Sequence, residues 1–282
     1  MADVRITEYT DPGCPWAYSA EPFRRRLSWL YGDQLEWRVR MVGLADSAEH
    51  YEQIGFTPDV QASAHAKIAA EHRMPIDTRE RPRMAATMPA CRAVVAARRH
   101  APEAERLLLR RLRIRAFSGG LLDDPKLIAG AARDAGLDPA ELDRWAAEPE
   151  TEAALREDMD AAREPMTAAR VLDHKLANWS GGRRYTCPSY EISRPGDGVK
   201  IAVPGFQPFA VYDVVTANLV PGLERRPAPE SVEEVLAWTG TPLATQEVAV
   251  VCDIPFDEAR ERLGRVAVEQ HVGFDGFWTL PA

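Results

Sequence analysis

The sequence predicts an α/β fold in which a β-α-β unit, a long helical block and a closing β-β-α unit follow one another along the chain. Two observations predict this arrangement. Strand and helix patterns alternate on both sides of the block, and no strand pattern is visible between residues 44 and 180. The chain has 282 residues, which exceeds one minimal domain, so an insertion or an appended unit is expected.

The opening unit contains two strands, at residues 4–9 and 35–41, and the helix between them. The first strand runs into a turn, after which Cys14-Pro15 starts the helix with proline at its first position. From Trp16 onward, apolar residues recur three and four positions apart, which predicts one amphipathic helix of about four turns. A thiol therefore lies where the first strand meets the first helix.

The middle block is predicted to be helical throughout, with clear helical periodicity over residues 90–99 and 104–117. Two further helices begin with an aspartate cap that is followed by proline at the first helical position. These two starts are Asp124-Pro125 and Asp138-Pro139. Residues 166–179 are predicted to form the helix that leads back to the sheet.

The closing unit contains strands at residues 184–192 and 199–203, joined by a hairpin turn, and then a helix at residues 209–219. A Pro-containing linker at residues 225–230 separates this unit from the tail. The predicted boundaries are 1–43 and 181–223 for the two parts of the sheet domain, 44–180 for the helical insertion and 224–282 for the C-terminal domain.

The C-terminal domain shows three short helical patterns followed by a turn and a strand, an order that resembles a winged helix-turn-helix. These patterns cover residues 231–238, 245–252, 257–268 and 272–280. From Thr241 to the end, three Arg, no Lys and seven acidic residues give a net charge of −4, which opposes binding to phosphates of nucleic acids. The expected roles are packing against the sheet domain, closing a pocket or forming a homodimer.

Charge and cysteine usage exclude several classes of protein. The net charge of −8 argues against a nucleic-acid binder, and no apolar run approaches the roughly 20 residues of a membrane span. The start lacks a signal-peptide pattern, so a cytoplasmic location is expected. The four cysteines form no Cys-x-x-Cys pair, which argues against a zinc site and a disulfide framework and leaves chemistry at individual thiols.

Cys14 is the first candidate for such chemistry. Unpaired backbone N–H groups and the macrodipole at a helix N-terminus favour an anion, and they lower a cysteine pKa into a range of about 3.5–7.5. The turn before Cys14 presents its side chain at the carboxyl end of a strand, where ligands bind in α/β folds. Cys91 and Cys252 lie in apolar helical patterns, which favours a structural role for them.

The segment Asp11-Pro12-Gly13-Cys14-Pro15-Trp16, set in this order of elements, resembles the DsbA-like branch of the thioredoxin superfamily, and the FrnE-type proteins in particular. The resemblance covers about residues 3–222. It implies a thioredoxin-like fold in which a cis-proline faces the active-site cysteine. Pro188 and Pro204 compete for that position, and Pro188 is preferred because it immediately precedes a strand, as the cis-proline of the family does.

The sequence departs from the family at the second cysteine of Cys-x-x-Cys, where Ala17 stands. A resolving thiol normally attacks the mixed disulfide and releases the substrate, which Ala17 cannot do. If Pro188 is the cis-proline, Cys187 comes beside the Cys14 sulfur, and the pair could meet the Cα separation of about 7 Å that a disulfide allows. The resemblance implies Cys14 and Pro188 as catalytic residues. Cys187 is the candidate resolving thiol, and the alternative is that it is a small residue that packs at this position. The resemblance also implies Pro15, Trp16 and Thr186 as substrate-binding residues.

Three functions remain open. The first is a thiol-disulfide oxidoreductase that acts on a protein or small-molecule substrate. The second is a transferase or isomerase that uses a thiol cofactor, as the related glutathione transferase kappa and hydroxychromene-carboxylate isomerase proteins do, with glutathione or mycothiol as that thiol. The third is a non-catalytic thioredoxin-like binding protein. No metal, nucleic acid or membrane is expected as a partner in any of them.

Two weaker signals have ordinary interpretations. The basic run from Arg106 to Arg115 is typical of a solvated helix face, and the alternative is a site for the carboxylates of a peptide-like thiol. His65 and His72 share a helical face but have no carboxylate or cysteine at metal-ligand spacing, so no metal site is predicted.

Overall fold

A four-stranded mixed sheet lies at the centre of the protein, of which the computed structural model describes residues 2–281. The strands up to the end of this sheet are β1 (Val4–Thr10), β2 (Leu35–Met41), β3 (Leu176–Trp179), β4 (Gly182–Tyr185), β5 (Ser189–Ser193) and β6 (Lys200–Val203). The sheet has the order β2-β1-β5-β6, with β1 parallel to β2 and antiparallel to β5, and β5 antiparallel to β6. It therefore joins the start of the chain to a segment beyond the helical insertion.

The helices of the sheet domain are α1 (Pro15–Ser19), α2 (Glu21–Tyr31) and, later in the chain, α11 (Phe209–Leu219). The single amphipathic helix expected after Cys14 is in fact two helices. Pro22 has no N–H to donate to the carbonyl of Tyr18, which interrupts the helical hydrogen bonds at this point. Leu27 of α2 and Tyr212 of α11 are buried in one apolar cluster with the sheet.

The helical insertion lies between β2 and β3. Its helices are α3 (Ala48–Gln53), α4 (Pro58–His72), α5 (Met88–His100), α6 (Glu105–Phe117), α7 (Pro125–Asp134), α8 (Pro139–Ala146), α9 (Pro149–Arg163) and α10 (Thr167–Arg170). The buried residues of α5 pack against α6, α8 and α9. The two predicted caps are confirmed, since Asp124 accepts the N–H of Lys126 at 2.9 Å and Asp138 that of Ala140 at 2.7 Å. No helix within residues 2–281 is both long and apolar enough to span a membrane.

The helix expected over residues 166–179 is confirmed only at its start, where α10 (Thr167–Arg170) forms, and is wrong over residues 176–179. The chain returns to the sheet through α9, which contacts β2 and β4, and residues 176–185 form the β3–β4 hairpin, with Trp179 opposite Gly182. Ser180 and Gly181 are the two residues of its turn, a short-range hairpin signal that the apolar spacing around it masked. The hairpin therefore crosses the predicted domain boundary at residue 180.

The C-terminal unit contains three helices and a small sheet within the described residues. Its elements are α12 (Val232–Thr239), β7 (Leu243–Ala244), α13 (Thr245–Cys252), α14 (Phe256–Val266), β8 (Val268–Val272) and β9 (Asp275–Thr279). The last helix ends earlier than expected, because Val268 already pairs with Thr279 in the sheet, whose order is β7-β9-β8. The assignment of this unit to the winged-helix class stays a prediction.

Gly273, at the tip of the β8–β9 hairpin, touches the helical insertion. Its φ is +65°, and a Cβ at this position would lie 2.2 Å from the carbonyl oxygen of Ile76. Only glycine allows both the left-handed backbone and this approach. The C-terminal unit is therefore fitted closely against the segment that follows α4.

Buried ion pairs connect the C-terminal unit to the rest of the protein. Glu247 of α13 is fully buried and pairs with Arg25 of α2 at 2.6 Å and with Arg110 of α6. The interpretation of the basic run as a solvated face is therefore wrong at two positions. Arg110 and Arg113 are buried, and Arg113 pairs with Glu21. Their acidic partners are distant in the sequence, so helical spacing alone does not reveal these contacts.

Candidate functional site

Cys14 occupies the N-cap of α1, after the turn that follows β1. Its backbone is extended, with φ −83° and ψ 113°, and its carbonyl accepts the N–H of Tyr18 at 3.0 Å. Pro15 takes the first helical position, where no N–H is needed. The Cys14 side chain is thus placed beside the free backbone N–H groups of a helix start.

Cys187 and Pro188 lie against Cys14 at one edge of the sheet. The peptide bond between Cys187 and Pro188 is cis; no cis bond precedes Pro204, the other proline considered for this position. Because β1 pairs antiparallel with β5, the turn that follows β1 and the turn that precedes β5 meet. Cys14 Sγ consequently lies 3.3 Å from the carbonyl oxygen of Cys187, although the two residues are 173 positions apart.

The two thiols differ in acidity. A hydrogen bond from the Cys187 thiol lowers the pKa of Cys14, helped by the backbone N–H groups of Ala17 and Trp16 and opposed by burial and by the charge of Asp11. Burial raises the pKa of Cys187 well above its usual value, and the Cys14 sulfur raises it further. A protonated Cys14 donates to the Cys187 carbonyl, whereas its thiolate accepts from these donors. Cys14 is therefore the more acidic thiol of the pair.

Both thiols are sheltered from solvent. Cys14 and Cys187 are each 5% exposed, and Ala17, at the position of the missing second cysteine, is also buried. None of the four cysteines is in a disulfide. Burial raises the pKa of Cys91 well above its usual value and that of Cys252 to about 11, so these two stay protonated at neutral pH.

Asp11 is a site residue that the sequence analysis missed. It is fully buried, and its carboxylate accepts the backbone N–H groups of Gly13 at 2.7 Å and Leu44 at 2.9 Å and the hydroxyl of Thr87 at 2.9 Å. Burial raises its pKa. Asp11 thus fixes the Cys14 turn to the end of β2 and to the start of α5. The Asp-x-Gly spacing signals only the bond to Gly13, because the other partners are distant in sequence.

Trp16 forms the exposed part of the site. The residue is 39% exposed, and its ring packs edge-on against His72 and Phe206, with ring centroids 5.1 and 5.7 Å apart. Thr186, which is also predicted to bind substrate, lies just before Cys187. Its carbonyl accepts the Ser189 hydroxyl at 2.7 Å. Pro15, Trp16 and Thr186 therefore all lie within two residues of one of the two thiols along the chain.

The histidines of α4 have separate surroundings. His65 is buried beside Phe117, whereas His72 packs on Trp16 and Phe206. Within residues 2–281, no group of three or more His, Cys, Asp or Glu side chains is placed to hold a metal ion.

Known sequences match almost the whole chain. A family profile described as DSBA-like thioredoxin domain matches residues 5–166, which include Cys14. Two curated relatives are ClpXP adapter proteins SpxH. The one from Halalkalibacterium halodurans is 25% identical over 98% of this chain and 88% of its own length. The one from Shouchella clausii is 25% identical over 95% of this chain and 84% of its own length.

Solved structures share the fold. A putative protein disulfide isomerase from Nitrosomonas europaea superposes with a TM-score of 0.58 at 15% identity, covering 77% of this chain and 97% of that one. A probable DsbA oxidoreductase from Streptomyces coelicolor superposes with a TM-score of 0.55 at 19% identity, covering 80% of this chain and 93% of that one. The cytosolic disulfide reductase DsbM from Pseudomonas aeruginosa superposes with a TM-score of 0.52 at 17% identity, covering 77% of this chain and 100% of that one. Since the family profile matches more than half of the chain and includes Cys14, the protein belongs to the DsbA-like thioredoxin family.

Proposed function

We propose that this protein is a thiol-disulfide oxidoreductase in which Cys14 is the nucleophile and Cys187 the resolving thiol. The observation that carries the proposal is their contact. Cys14 Sγ lies 3.3 Å from the Cys187 carbonyl, and a hydrogen bond from the Cys187 thiol lowers the pKa of Cys14. Cys187 thereby takes the role that Ala17 cannot fill in the Cys-x-x-Cys position.

The reaction proceeds in two exchanges. The Cys14 thiolate attacks one sulfur of a substrate disulfide, forms a mixed disulfide with it and expels the other sulfur as a thiolate. Cys187 gives its proton to that thiolate and attacks the Cys14 sulfur, so that a Cys14–Cys187 disulfide forms and the second substrate sulfur leaves. The substrate gains two electrons and the cysteine pair loses them. Two equivalents of a low-molecular-weight thiol, which become a disulfide, reduce the pair again.

Residues around the two sulfurs hold the substrate in this scheme. Trp16 offers exposed aromatic surface beside the thiol, and Pro15, Thr186 and Pro188 border the two sulfurs along the chain. A cycle completed by a cellular thiol suits a reducing compartment, so we place the protein in the cytoplasm.

Intact mass and peptide mapping of the air-oxidised protein, in the absence of reductant, test the proposal. We expect a Cys14–Cys187 link in the wild type and its loss in Cys187→Ser. Cys252→Ser is the matched control, because it removes a thiol outside the site and should keep the link. In Cys187→Ser, a substrate disulfide should leave a stable adduct on Cys14, since no resolving thiol is present.

Two other results would contradict the assignment of Cys14 and Cys187 as a redox pair. Free thiols at both Cys14 and Cys187 after oxidation overturn the pair. A stable adduct on Cys14 alone in the wild type, together with turnover of an electrophile, indicates a transferase or isomerase that uses a thiol cofactor such as glutathione or mycothiol.

A second candidate function is that of a protein-binding adapter. The match to the Halalkalibacterium relative, a ClpXP adapter, extends over 98% of this chain and so includes the C-terminal unit. In this role the chain brings a client protein to a protease, and the chemistry of Cys14 is dispensable.

Complementation separates the two candidates. A strain that lacks the protein is supplied with wild type, Cys14→Ser or the control Cys252→Ser, and protein half-lives are measured after pulse labelling. Restoration of the half-lives by Cys14→Ser supports the adapter. Restoration of cellular disulfide reduction only by the forms that retain Cys14 supports the oxidoreductase.

A further inference from the structure

A cleft of about 650 Å³ lies where the helical insertion meets the C-terminal unit. Cavities of this volume are typical of small-molecule sites. Helices α6 and α7 and the turn between them line it, together with Pro242 and Gln270 of the C-terminal unit. These residues are different from those of the Cys14 site. The charged residues that line the cleft are Arg111, Arg115, Asp124, Lys126 and Asp134.

Arg111 is the arginine of α6 that has no carboxylate partner in the part of the chain that the structure describes. The other arginines of this helix each form an ion pair: Arg106 with Glu8, Arg110 with Glu247, Arg113 with Glu21 and Arg115 with Asp134. Arg111 is half-buried, and its Nε is closed off from solvent without an acceptor. Burial also lowers its pKa. A cation in this position costs stability, and such costs are typical of functional sites.

The other polar groups of the cleft leave a positive charge free. Asp134 accepts from Arg115 Nε at 2.8 Å, and Asp124 caps α7 by accepting the backbone N–H of Lys126 at 2.9 Å. The ammonium group of Lys126 is exposed and forms no ion pair within residues 2–281. The Ser118 hydroxyl, which is closed off from solvent, also lacks a partner there. Three cations and two carboxylates line the cleft, so its net charge is +1.

We propose that this cleft binds a small monocarboxylic acid, whose carboxylate pairs with Arg111 and Lys126. The terminal nitrogens of Arg111 make no hydrogen bond to a described residue and are not closed off from solvent as Nε is. A guanidinium binds a carboxylate through two parallel hydrogen bonds. Ile114, Leu127 and Pro242 provide apolar wall for the rest of the acid.

The charge of the cleft favours a carboxylate over a phosphate. One negative charge matches the net charge of +1, whereas a phosphate dianion exceeds it and is repelled by Asp124 and Asp134. Binding of this kind is non-covalent and needs no thiol. The inference therefore goes beyond the proposed function of Cys14 and does not depend on it.

Isothermal titration calorimetry of the purified protein tests the site, in Tris buffer that contains neither carboxylate nor phosphate. Benzoate and hexanoate are the probes, and benzamide, the uncharged counterpart of benzoate, is the control ligand. We expect both acids to bind at one site per chain. Benzoate should bind at least tenfold more tightly than benzamide, as charge-assisted hydrogen bonds predict, and more tightly than inorganic phosphate.

Variants at the cleft identify the groups that bind. Arg111→Met keeps an unbranched side chain but removes the charge, so the dissociation constant of benzoate should rise about tenfold. Lys126→Met removes an exposed cation and should raise it about threefold. Arg133→Met is the matched control, because Arg133 is an exposed arginine of α7 that does not line the cleft. Its dissociation constant should equal that of the wild type.

Thermal unfolding without ligand provides a second readout for Arg111. Its removal leaves no carboxylate unpaired, so Arg111→Met should keep or raise the melting temperature of the wild type. An arginine that serves only the stability of the fold would lower the melting temperature when it is replaced. This measurement therefore separates a ligand-binding arginine from a structural one.

Several results would overturn the carboxylate site. They are no binding of either acid, equal affinities for benzoate and benzamide, tighter binding of phosphate than of benzoate, an affinity that Arg111→Met leaves unchanged, and a lower melting temperature of that variant. Cys14→Ser should bind benzoate as the wild type does. The carboxylate site and the proposed thiol chemistry can therefore fail separately.

Discussion

Asp11 shows how one buried side chain sets the properties of a neighbouring thiol. Its hydrogen bonds to Gly13, Leu44 and Thr87 hold the turn, and its negative charge opposes ionisation of Cys14. The geometry of the site and the reactivity of its thiol are therefore coupled through one carboxylate.

Asp11→Asn should separate these two effects. The substitution keeps the shape but replaces one acceptor oxygen by an amide group, so at least one buried donor loses its partner, at a cost of about 1–3 kcal/mol in the free energy of unfolding. Removal of the charge should lower the pKa of Cys14. Urea unfolding measures the first effect and the pH dependence of iodoacetamide alkylation the second. A raised pKa of Cys14 would contradict this account, and Thr87→Val, which removes one hydrogen bond but no charge, is the control.

Ala17→Cys should restore the dithiol arrangement of the family. Ala17 is buried on α1, and its N–H approaches the Cys14 sulfur, so a thiol at this position lies within reach of it. We expect oxidation to link Cys14 to the introduced thiol and insulin reduction to become faster. Combined with Cys187→Ser, the variant should retain this activity, whereas Cys187→Ser alone should lack it. Peptide mapping and the turbidity of reduced insulin measure the two results.

Among the elements, α6 carries a pH-sensitive residue at its start. Glu105 is buried, and its nearest cation, Arg98, is 3.5 Å away. Burial raises the pKa of Glu105 to about 7, above the value of about 4.3 for an unfolded chain. The folded protein therefore binds this proton more tightly than the unfolded chain does. The resulting stability is fully present below the unfolded pKa and is lost as the pH rises towards 7.

Glu105→Gln should remove this pH dependence. We expect the free energy of unfolding of the wild type to fall by about 3 kcal/mol more than that of the variant between pH 4 and pH 8. Urea unfolding across that pH range measures it. Glu103→Gln, at an exposed neighbouring position, should keep the wild-type slope, and parallel slopes for Glu105→Gln and the wild type would contradict the prediction.

Elements with local signals were predictable from the sequence. The Asp-Pro caps, the order of strands and helices and the N-cap position of Cys14 each depend on a few adjacent residues. The break at Pro22 and the β3–β4 hairpin were missed because apolar spacing outweighed a single proline and a Ser-Gly turn. In the site, Asp11 was missed because two of its partners, Leu44 and Thr87, are close only after folding.

On the scale of the whole molecule, the ion pairs of Glu247 connect three parts of the protein. Glu247 belongs to the C-terminal unit and pairs with Arg25 of the sheet domain and Arg110 of the insertion. A buried carboxylate between two buried cations is costly to remove because the cations then lack compensation. The C-terminal unit is thus part of the folded core rather than a tethered appendage.

Glu247→Ala should destabilise the whole protein by about 3–5 kcal/mol. Trp fluorescence should show a single unfolding transition that shifts to lower denaturant concentration. It reports on this contact because Trp29 is buried where α2 meets the C-terminal unit. Glu261→Ala is the control, because its pair with Arg265 is exposed and worth about 0–1 kcal/mol. Independent melting of the C-terminal unit in the wild type would contradict this view.

During synthesis, β1 cannot pair with β5 until the intervening chain has been made. Cys14 leaves the ribosome 173 residues before Cys187, which corresponds to roughly 10–35 s at ordinary translation rates. During that interval the nascent chain has a central strand with one bare edge and a thiol without its neighbour. The central sheet is therefore completed only when the last third of the chain has been made.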